Sequence, residues 1–199
     1  VRNNEYLYFT VHNITPDANY KLEHNNTKES FARKFFESLN FKYIITADDG
    51  FINDFEFLNT LKNKNIISKK LFITKNFFLK ENIPWWRVLD FLFTEKKYKS
   101  SIYRNKKLLR KIAIFFYKNK LPTKFQDLDI LFKQVLGESI PIDLYEILSS
   151  QMLSEKFLSK INSENIDIGI HTVSHQNLAR LKYKEQIQEI ERSHQFNKL

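Results

Sequence analysis

Strand-like and helix-like patterns alternate along the first part of the chain, and this alternation constrains the fold most strongly. Four short runs are rich in the β-branched and aromatic residues that favour strands. They are residues 6–12 (YLYFTVH), 42–46 (KYIIT), 70–74 (KLFIT) and 166–171 (IDIGIH). The runs are almost continuously apolar, and segments with apolar residues at helical spacing lie between them. This arrangement predicts βαβ units on a parallel sheet with both faces covered.

The helix-like segments show apolar residues at helical spacing. The expected inward faces are Phe31, Phe35 and Leu39 in residues 28–40, and Phe55, Leu58 and Leu61 in residues 52–65. Residues 85–165 read almost entirely as helix. One helix there is predicted to begin with a capping box from Thr123 to Gln126 and to end at Gly137. A last polar helix is predicted at residues 182–196.

These patterns predict a single domain over residues 1–199, with a helical insertion at about 85–165. The ends of the insertion lack the composition of linkers. A chain of 199 residues with 42% hydrophobic content is long and apolar enough to form a packed core. We therefore expect a folded α/β protein.

Charge and cysteine content limit the classes of function. The net charge of +9 is typical of chains that bind nucleic acids or anionic surfaces. We discount it, because Lys, Asn, Ile and Phe are all abundant here and all come from AT-rich codons. The chain has no Cys, so it has no disulfide or thiolate site. Any metal ion must therefore be bound by His and carboxylate side chains.

The chain start, VRNNEYLYFTVH, lacks the basic and apolar regions of a signal peptide. No apolar run approaches the roughly 18 residues that a membrane-spanning helix needs. Because the first residue is Val rather than Met, the missing signal says little about the compartment. Cytoplasmic and cell-envelope locations in a bacterium both stay open, and the oligomeric state is not predicted.

Polar residues follow three of the predicted strands. His12 ends the first run, Asp48 and Asp49 follow the second in TADDGF, and His171 and His175 follow the last in HTVSH. In parallel α/β folds these strand ends share the edge where ligands bind. If HTVSH is helical, its two imidazoles face the same way, and one carboxylate would complete a site for Zn²⁺ or a similar divalent ion. Each pattern alone also fits a solvated turn or an exposed helix face.

Taken together, TADDGF and HTVSH resemble the first two motifs of the NodB-type polysaccharide deacetylases, carbohydrate esterase family 4. Those motifs read T-F-D-D-G and H-[ST]-x-x-H. The segment YFTVHNI resembles the strand that opens many members, and residues 58–78 resemble their next helix and strand. PWWRVLDFL is similar to a Trp-containing segment of longer bacterial members. The resemblance covers about residues 6–190 and implies part of a distorted (β/α) barrel with a helical insertion.

The resemblance also implies roles for individual residues. Asp49, His171 and His175 fall on the ligands of one divalent metal ion, for which Zn²⁺ is expected. Asp48 falls on the catalytic base that deprotonates the attacking water. A cation would offset the repulsion between the adjacent carboxylates. The implied reaction is hydrolysis of N-acetyl groups on an amino-sugar glycan, such as a bacterial cell-surface polysaccharide or its precursor.

The chain departs from the family pattern in two ways. Ala47 replaces the usual Phe of the first motif. The later motifs, including the Leu-x-His that supplies the general acid, have no match before Leu199. A complete barrel of this kind takes about 250 residues. The resemblance therefore implies an N-terminal portion of a metal-dependent deacetylase that lacks the general acid, and an inactive metal-binding relative is the alternative.

Two interpretations remain open for several other residues. His12 fits either a substrate pocket or a buried structural position. Trp85 and Trp86 fit either stacking on a sugar ring or core packing beside apolar neighbours. Residues 96–111, where Lys and Arg interleave with Tyr, would suit a nucleic-acid or anionic-surface binding module. A solvated helix with Leu108, Ile112 and Phe115 inward fits them better, so no nucleic-acid partner is expected.

Overall fold

The computed structural model of the chain describes residues 6–12, 14–15, 27–94, 106–158 and 165–194. The strands are β1 (Leu7–Val11), β2 (Ile14–Thr15), β3 (Thr27–Lys28), β4 (Tyr43–Ala47), β5 (Ile66–Ile73) and β6 (Asp167–Ile170). The helices are α1 (Glu29–Ser38), α2 (Ile52–Thr60), α3 (Lys75–Phe78), α4 (Trp85–Thr94), α5 (Lys106–Lys118), α6 (Phe125–Leu136), α7 (Ile142–Ser150), α8 (Glu155–Leu158) and α9 (Tyr183–His194). A 3-10 helix spans Leu178–Arg180.

The main sheet is four-stranded, with the order β1-β4-β5-β6, and all its pairings are parallel. Every residue of β4 is buried, as expected for an inner strand covered on both faces. The predicted mixed α/β fold with a parallel sheet is therefore confirmed. The third predicted strand is longer than expected, because β5 begins at Ile66, which pairs with Tyr43.

The chain forms two compact units. The first consists of Val1–Ile73 and Leu153–His171, and the second consists of Thr74–Met152 and Thr172–Leu199. In the first unit, β4 and the helices on the sheet share an aromatic core in which Phe36 stacks on Tyr43 at 5.8 Å. In the second unit, α4 to α7 enclose an apolar core that includes Phe116 and Phe132. The single domain with an insertion at about 85–165 stays a prediction.

The predicted inward face of α1 is wrong. Phe31 and Phe35 are 67% and 41% exposed, whereas Ala32 and Phe36 are buried. Phe36 packs edge-on against Phe9 at 5.5 Å, in addition to stacking on Tyr43. Ala32 and Phe36 are one helical turn apart, so they share the buried face of α1.

The predicted inward face of α5 is also partly wrong. Ile112 is buried as predicted, but Phe115 is 37% exposed and Phe116 is only 1% exposed. Phe116 stacks on Trp85 at 4.9 Å, which draws this side of α5 inward. Of the basic segment 96–111, residues up to 105 lie outside the described residues, as does the side chain of Leu108.

Other helix predictions have mixed outcomes. The inward face of α2 is confirmed, since Phe55, Leu58 and Leu61 are all buried. The capping box of α6 is wrong, because the helix begins after Lys124 without a side-chain cap. The Thr123 carbonyl instead accepts a hydrogen bond from Asn76 Nδ2 at 2.8 Å. Gly137 ends α6 in the left-handed conformation, with φ 80°, as predicted.

Throughout the described ranges, every helix falls short of the length and apolar character that crossing a membrane requires.

Candidate functional site

A tight turn places two carboxylates directly after β4. Asp49 and Gly50 both adopt left-handed backbone conformations, with φ 75° and 87°. Asp tolerates this region better than most non-glycine residues do. A Cβ atom at Gly50 would lie 3.2 Å from Ile73 Cγ2, so both the backbone conformation and the available space favour glycine. The turn leads into α2 and keeps Asp48 and Asp49 at the carboxyl end of β4.

His12 lies beside these carboxylates. Val11 pairs with Ala47 in parallel register, so the residues that follow them emerge at the same edge of the sheet. His12 Nε2 is 3.9 Å from Asp48 Oδ2, and His12 Nδ1 is 4.0 Å from Asp49 Oδ2. The side chain of His12 is 50% exposed. The reading of His12 as a buried structural residue is therefore wrong.

His171 reaches the same edge from β6. Its backbone N–H donates to the Ile73 carbonyl at 2.9 Å and so continues the strand pairing beyond Ile170. Its Nε2 atom is 3.8 Å from Asp49 Oδ1, which is too long for a hydrogen bond. Two ligands at about 2.0–2.2 Å from one tetrahedral ion lie about 3.3–3.6 Å apart. The spacing of Asp49 and His171 is therefore close to that of two ligands of one ion.

Gly169 in β6 is needed for space rather than for backbone conformation. A Cβ atom there would lie 2.5 Å from the Phe72 ring on the neighbouring strand. The absence of a side chain lets Phe72 cover β6 immediately before His171. Gly50 and Gly169 thus meet different needs next to the candidate residues.

The segment that carries the second motif is a loop, so the helical geometry considered for HTVSH is wrong. Thr172 and His175 have positive φ angles of 64° and 57°. The backbone N–H of His175 donates to Thr172 Oγ1 at 3.1 Å. The Thr172 carbonyl accepts from Lys75 N at 3.2 Å, and the Val173 carbonyl accepts from Asn76 N at 2.8 Å. The loop is therefore fixed by hydrogen bonds to the start of α3.

Glu189 of α9 also holds this loop, and sequence reasoning missed it. Its Oε2 atom accepts hydrogen bonds from the backbone N–H groups of Val173 at 3.1 Å and Ser174 at 2.9 Å. Its Oε1 atom accepts from Ser174 Oγ at 2.6 Å. A glutamate on a polar helix carries no signal of such a role. Its role is visible only from its hydrogen bonds to Val173 and Ser174 in the folded structure.

Aromatic rings surround the imidazole of His175 within the second unit. The Trp86 ring lies 4.6 Å from it, and the Phe77 ring lies 6.0 Å away at an interplanar angle of 29°. Trp85 instead stacks on Phe116, with ring planes 9° apart, and packs against the apolar core. Both tryptophans are half-buried. The structure thus places Trp86 against a candidate ligand and gives Trp85 a packing role on one face.

The described residues supply one Asp and two His that could be ligands of a metal ion: Asp49 and His171 in the first unit, and His175 in the second. One carboxylate oxygen and two imidazole nitrogens form a donor set that Zn²⁺ and similar divalent ions accept. Three protein ligands leave a position open for water or substrate, as catalytic sites do. The chemistry of these donors fits a catalytic ion. Another histidine, His194 at the end of α9, is exposed and is not among these three residues.

A comparison with protein families matches residues 41–198 to the family described as polysaccharide deacetylase. The matched range includes Asp48, Asp49, His171 and His175, and it begins after His12. No curated protein and no solved structure gives a match.

Proposed function

Because the chain belongs to the polysaccharide deacetylase family, we propose that it hydrolyses N-acetyl groups on an amino-sugar polysaccharide or glycan precursor. The family supports a hydrolase that acts on acetylated glycans. The observation that carries the proposal for this chain is the pair of carboxylates after β4, with Asp49 Oδ1 3.8 Å from His171 Nε2. A bacterial cell-surface glycan is the proposed substrate class.

We assign Asp49, His171 and His175 as ligands of one divalent cation, and we propose Zn²⁺. When bound, such an ion polarises an acetyl carbonyl and makes water more acidic. The 7% exposure of the Asp49 side chain supports this role, because a buried carboxylate gains from a fixed positive charge. His171 is neutral when it ligates, so its ring nitrogen presents a lone pair.

Asp48 is the proposed catalytic base. Its side chain is more exposed than that of Asp49, at 18%, which lets water and substrate reach it. It accepts a proton from the water that attacks the acetyl carbon. The carbon–nitrogen bond then breaks, acetate is released, and the departing sugar amine takes up a proton.

His12 is proposed to line the substrate pocket. Its half-exposed imidazole lies 3.9 Å from Asp48 and offers ring nitrogens to a hydroxyl or amide of the sugar. We also propose that the four-stranded parallel sheet is part of the distorted (β/α) barrel of the family. The all-parallel order β1-β4-β5-β6 supports this.

The test combines metal content with deacetylation of acetylated amino-sugar oligosaccharides. Purified protein should contain about one equivalent of a divalent metal, and Asp49→Ala and His171→Ala should lose it. Asp48→Asn should retain the metal but lose at least about 100-fold in rate, as expected when a general base is removed. His194→Ala is the matched histidine control and should behave as the parent. Metal retention in both Asp49→Ala and His171→Ala would overturn the proposal.

A further inference from the structure

Three phenylalanines of the first unit, on α1 and in the turn after it, are exposed next to one another. Phe31 and Phe35 lie one helical turn apart and are 67% and 41% exposed, and Phe41 is 40% exposed. The rings of Phe35 and Phe41 lie 5.7 and 6.5 Å from the half-buried ring of Phe9 on β1. Single exposed apolar residues are common on protein surfaces, whereas a contiguous group marks a binding surface. We call Phe31, Phe35 and Phe41 the aromatic patch.

Lysines border the aromatic patch. Lys34 stands beside Phe35 in α1, Lys42 follows Phe41, and both are exposed. Two more exposed lysines, Lys62 and Lys64, lie in the turn after α2.

Hydrogen bonds hold the turn after α2 against the end of α1. Asn63, between the two lysines of that turn, donates its Nδ2 to the Phe36 carbonyl at 2.8 Å and to the Leu39 carbonyl at 3.0 Å. Asn65 Nδ2 also donates to the Leu39 carbonyl, at 3.0 Å. The four lysines therefore belong to one part of the first unit.

The carboxylates of α1 do not cancel this positive charge. Glu29 and Glu37 both lie within ion-pair distance of Arg33, at 2.7 and 3.9 Å. Arg33 offsets part of their charge. The four lysines therefore leave α1 and the turns beside it with an excess of positive charge, which complements an anionic partner.

We propose that this face of the first unit binds the surface of an anionic lipid bilayer. The aromatic patch enters the headgroup region, and the lysines lie near the lipid phosphates. Helices that bind at membrane surfaces combine Phe or Leu with Lys and Arg in this way, and each lysine near an anionic surface adds to the attraction. Interfaces between proteins are depleted in Lys, so a bilayer suits this composition better than a second protein does.

The inference does not depend on the proposed function. Phe41 precedes β4, whereas Asp48 follows it, so this part of the aromatic patch and the candidate carboxylates lie at opposite ends of one strand. Contact of Phe41 with a bilayer therefore does not require Asp48 to be covered.

The experiment measures sedimentation of the protein with lipid vesicles. One set of vesicles contains phosphatidylcholine alone, and the other contains equal parts of phosphatidylcholine and phosphatidylglycerol. We expect at least about tenfold stronger partitioning onto the anionic vesicles, with a loss of binding in high salt.

A double variant tests the aromatic patch. Phe31→Ser combined with Phe35→Ser should bind anionic vesicles at least about tenfold more weakly, because two rings no longer leave water on binding. Both side chains are exposed, so the variant should fold, and thermal unfolding checks this. Tyr183→Ser is the matched control, because Tyr183 on α9 is 76% exposed, and it should bind as the parent does.

A second double variant tests the lysines. Lys34→Glu combined with Lys42→Glu should weaken binding to anionic vesicles at least about tenfold. Lys182→Glu combined with Lys184→Glu, at exposed positions in the second unit, changes the net charge equally and should retain binding. Equal losses in the two charge variants would show attraction through net charge alone and would overturn the assignment of this face.

Three further outcomes would also overturn the proposal. The first is a lack of partitioning onto anionic vesicles at low salt. The second is full vesicle binding by both the Phe and the Lys double variants on α1 and its turn, which would place the lipid contact elsewhere. The third is a dimer, detected by light scattering, that the Phe double variant dissolves in a protein without vesicle binding, since a second copy of the chain would then be the partner.

Discussion

Asp48 and Asp49 are neighbours in sequence and both lie about 4 Å from His12, but they differ in exposure. Asp49 has a positive φ angle, is buried, and its Oδ1 atom lies 3.8 Å from His171 Nε2. Asp48 is more exposed and lies 3.9 Å from His12. The turn leaves Asp49 buried and Asp48 more exposed, with side-chain exposures of 7% and 18%. Ligand and base roles can therefore be assigned to different residues. The residue types were predictable from the motif, but the turn geometry was not.

Replacement of Gly50 by Ala should destabilise the protein for two reasons. The new side chain would adopt an unfavourable φ and would approach Ile73 at 3.2 Å. We expect a loss of about 2–4 kcal/mol in the free energy of unfolding. Gly137→Ala is the matched control, because Gly137 has φ 80° but nothing within 4 Å of the added atom. It should lose about 1–2 kcal/mol. Chemical denaturation measures the free energy of unfolding of both variants. Equal losses would contradict the expected contribution of the contact with Ile73.

Tyr43 should make stability fall at alkaline pH. Burial raises the pKa of its phenol to about 12, with a further contribution from the charge of Glu37. Its hydroxyl donates to the Phe36 carbonyl at 2.9 Å. Between pH 10 and 12 the unfolded chain loses this proton while the native state retains it, so stability decreases with rising pH. The loss should reach about 2–3 kcal/mol.

Denaturant unfolding of the parent and of Tyr43→Phe across pH 9–12 measures this contribution. The difference between the two curves removes the titration of other groups. The free energy of unfolding of the parent relative to Tyr43→Phe should be constant below pH 10 and should decrease above pH 10. A difference that stays constant up to pH 12 would show that the phenol titrates equally in both states.

At the scale of elements, the order of strands and helices was predictable because apolar spacing differs between them. The helix face that packs against the core was not predictable where two phenylalanines are adjacent. In α1 the sequence favoured Phe35, and in α5 it favoured Phe115, but Phe36 and Phe116 are the buried residues. Adjacent helical residues point about 100° apart, so only one of each pair can face the core. The choice depends on ring partners outside each helix, Tyr43 for Phe36 and Trp85 for Phe116.

The contact between α9 and the HTVSH loop should control metal affinity. Glu189→Ala would remove the acceptor for Val173 N, Ser174 N and Ser174 Oγ. His175 follows this segment directly, so we expect a 10–100-fold weaker Zn²⁺ affinity, as is typical when supporting partners are lost. Glu191→Ala, exposed on the same helix, is the control. Calorimetric titration with Zn²⁺ measures both, and equal affinities would refute the role.

At the scale of the whole molecule, the chain has two compact units that are each assembled from separate sequence segments. Local sequence patterns do not indicate that residues 172–199 belong to the same unit as residues 74–152. That grouping depends on long-range contacts such as the hydrogen bonds between Leu121 and Gln176. Local patterns predict elements, whereas such pairings depend on side chains far apart in the chain.

If one divalent ion binds the folded protein, it should stabilise the native state. At a free Zn²⁺ concentration of about 100 times Kd, the stabilisation should be about 2.7 kcal/mol. Thermal unfolding should show a raised Tm that a chelator reverses. Asp49→Ala should show no such rise. An increase of the same size in Asp49→Ala would mean that the ion binds elsewhere.

The boundary between the units falls between His171 and Thr172, inside the second motif, and the chain also changes units after Ile73 and after Met152. No single cut in the gene therefore yields either unit whole. Shortening the protein from either end should remove part of a core before it isolates a stable fragment. Variants that probe this protein should accordingly be point substitutions in the chain of 199 residues.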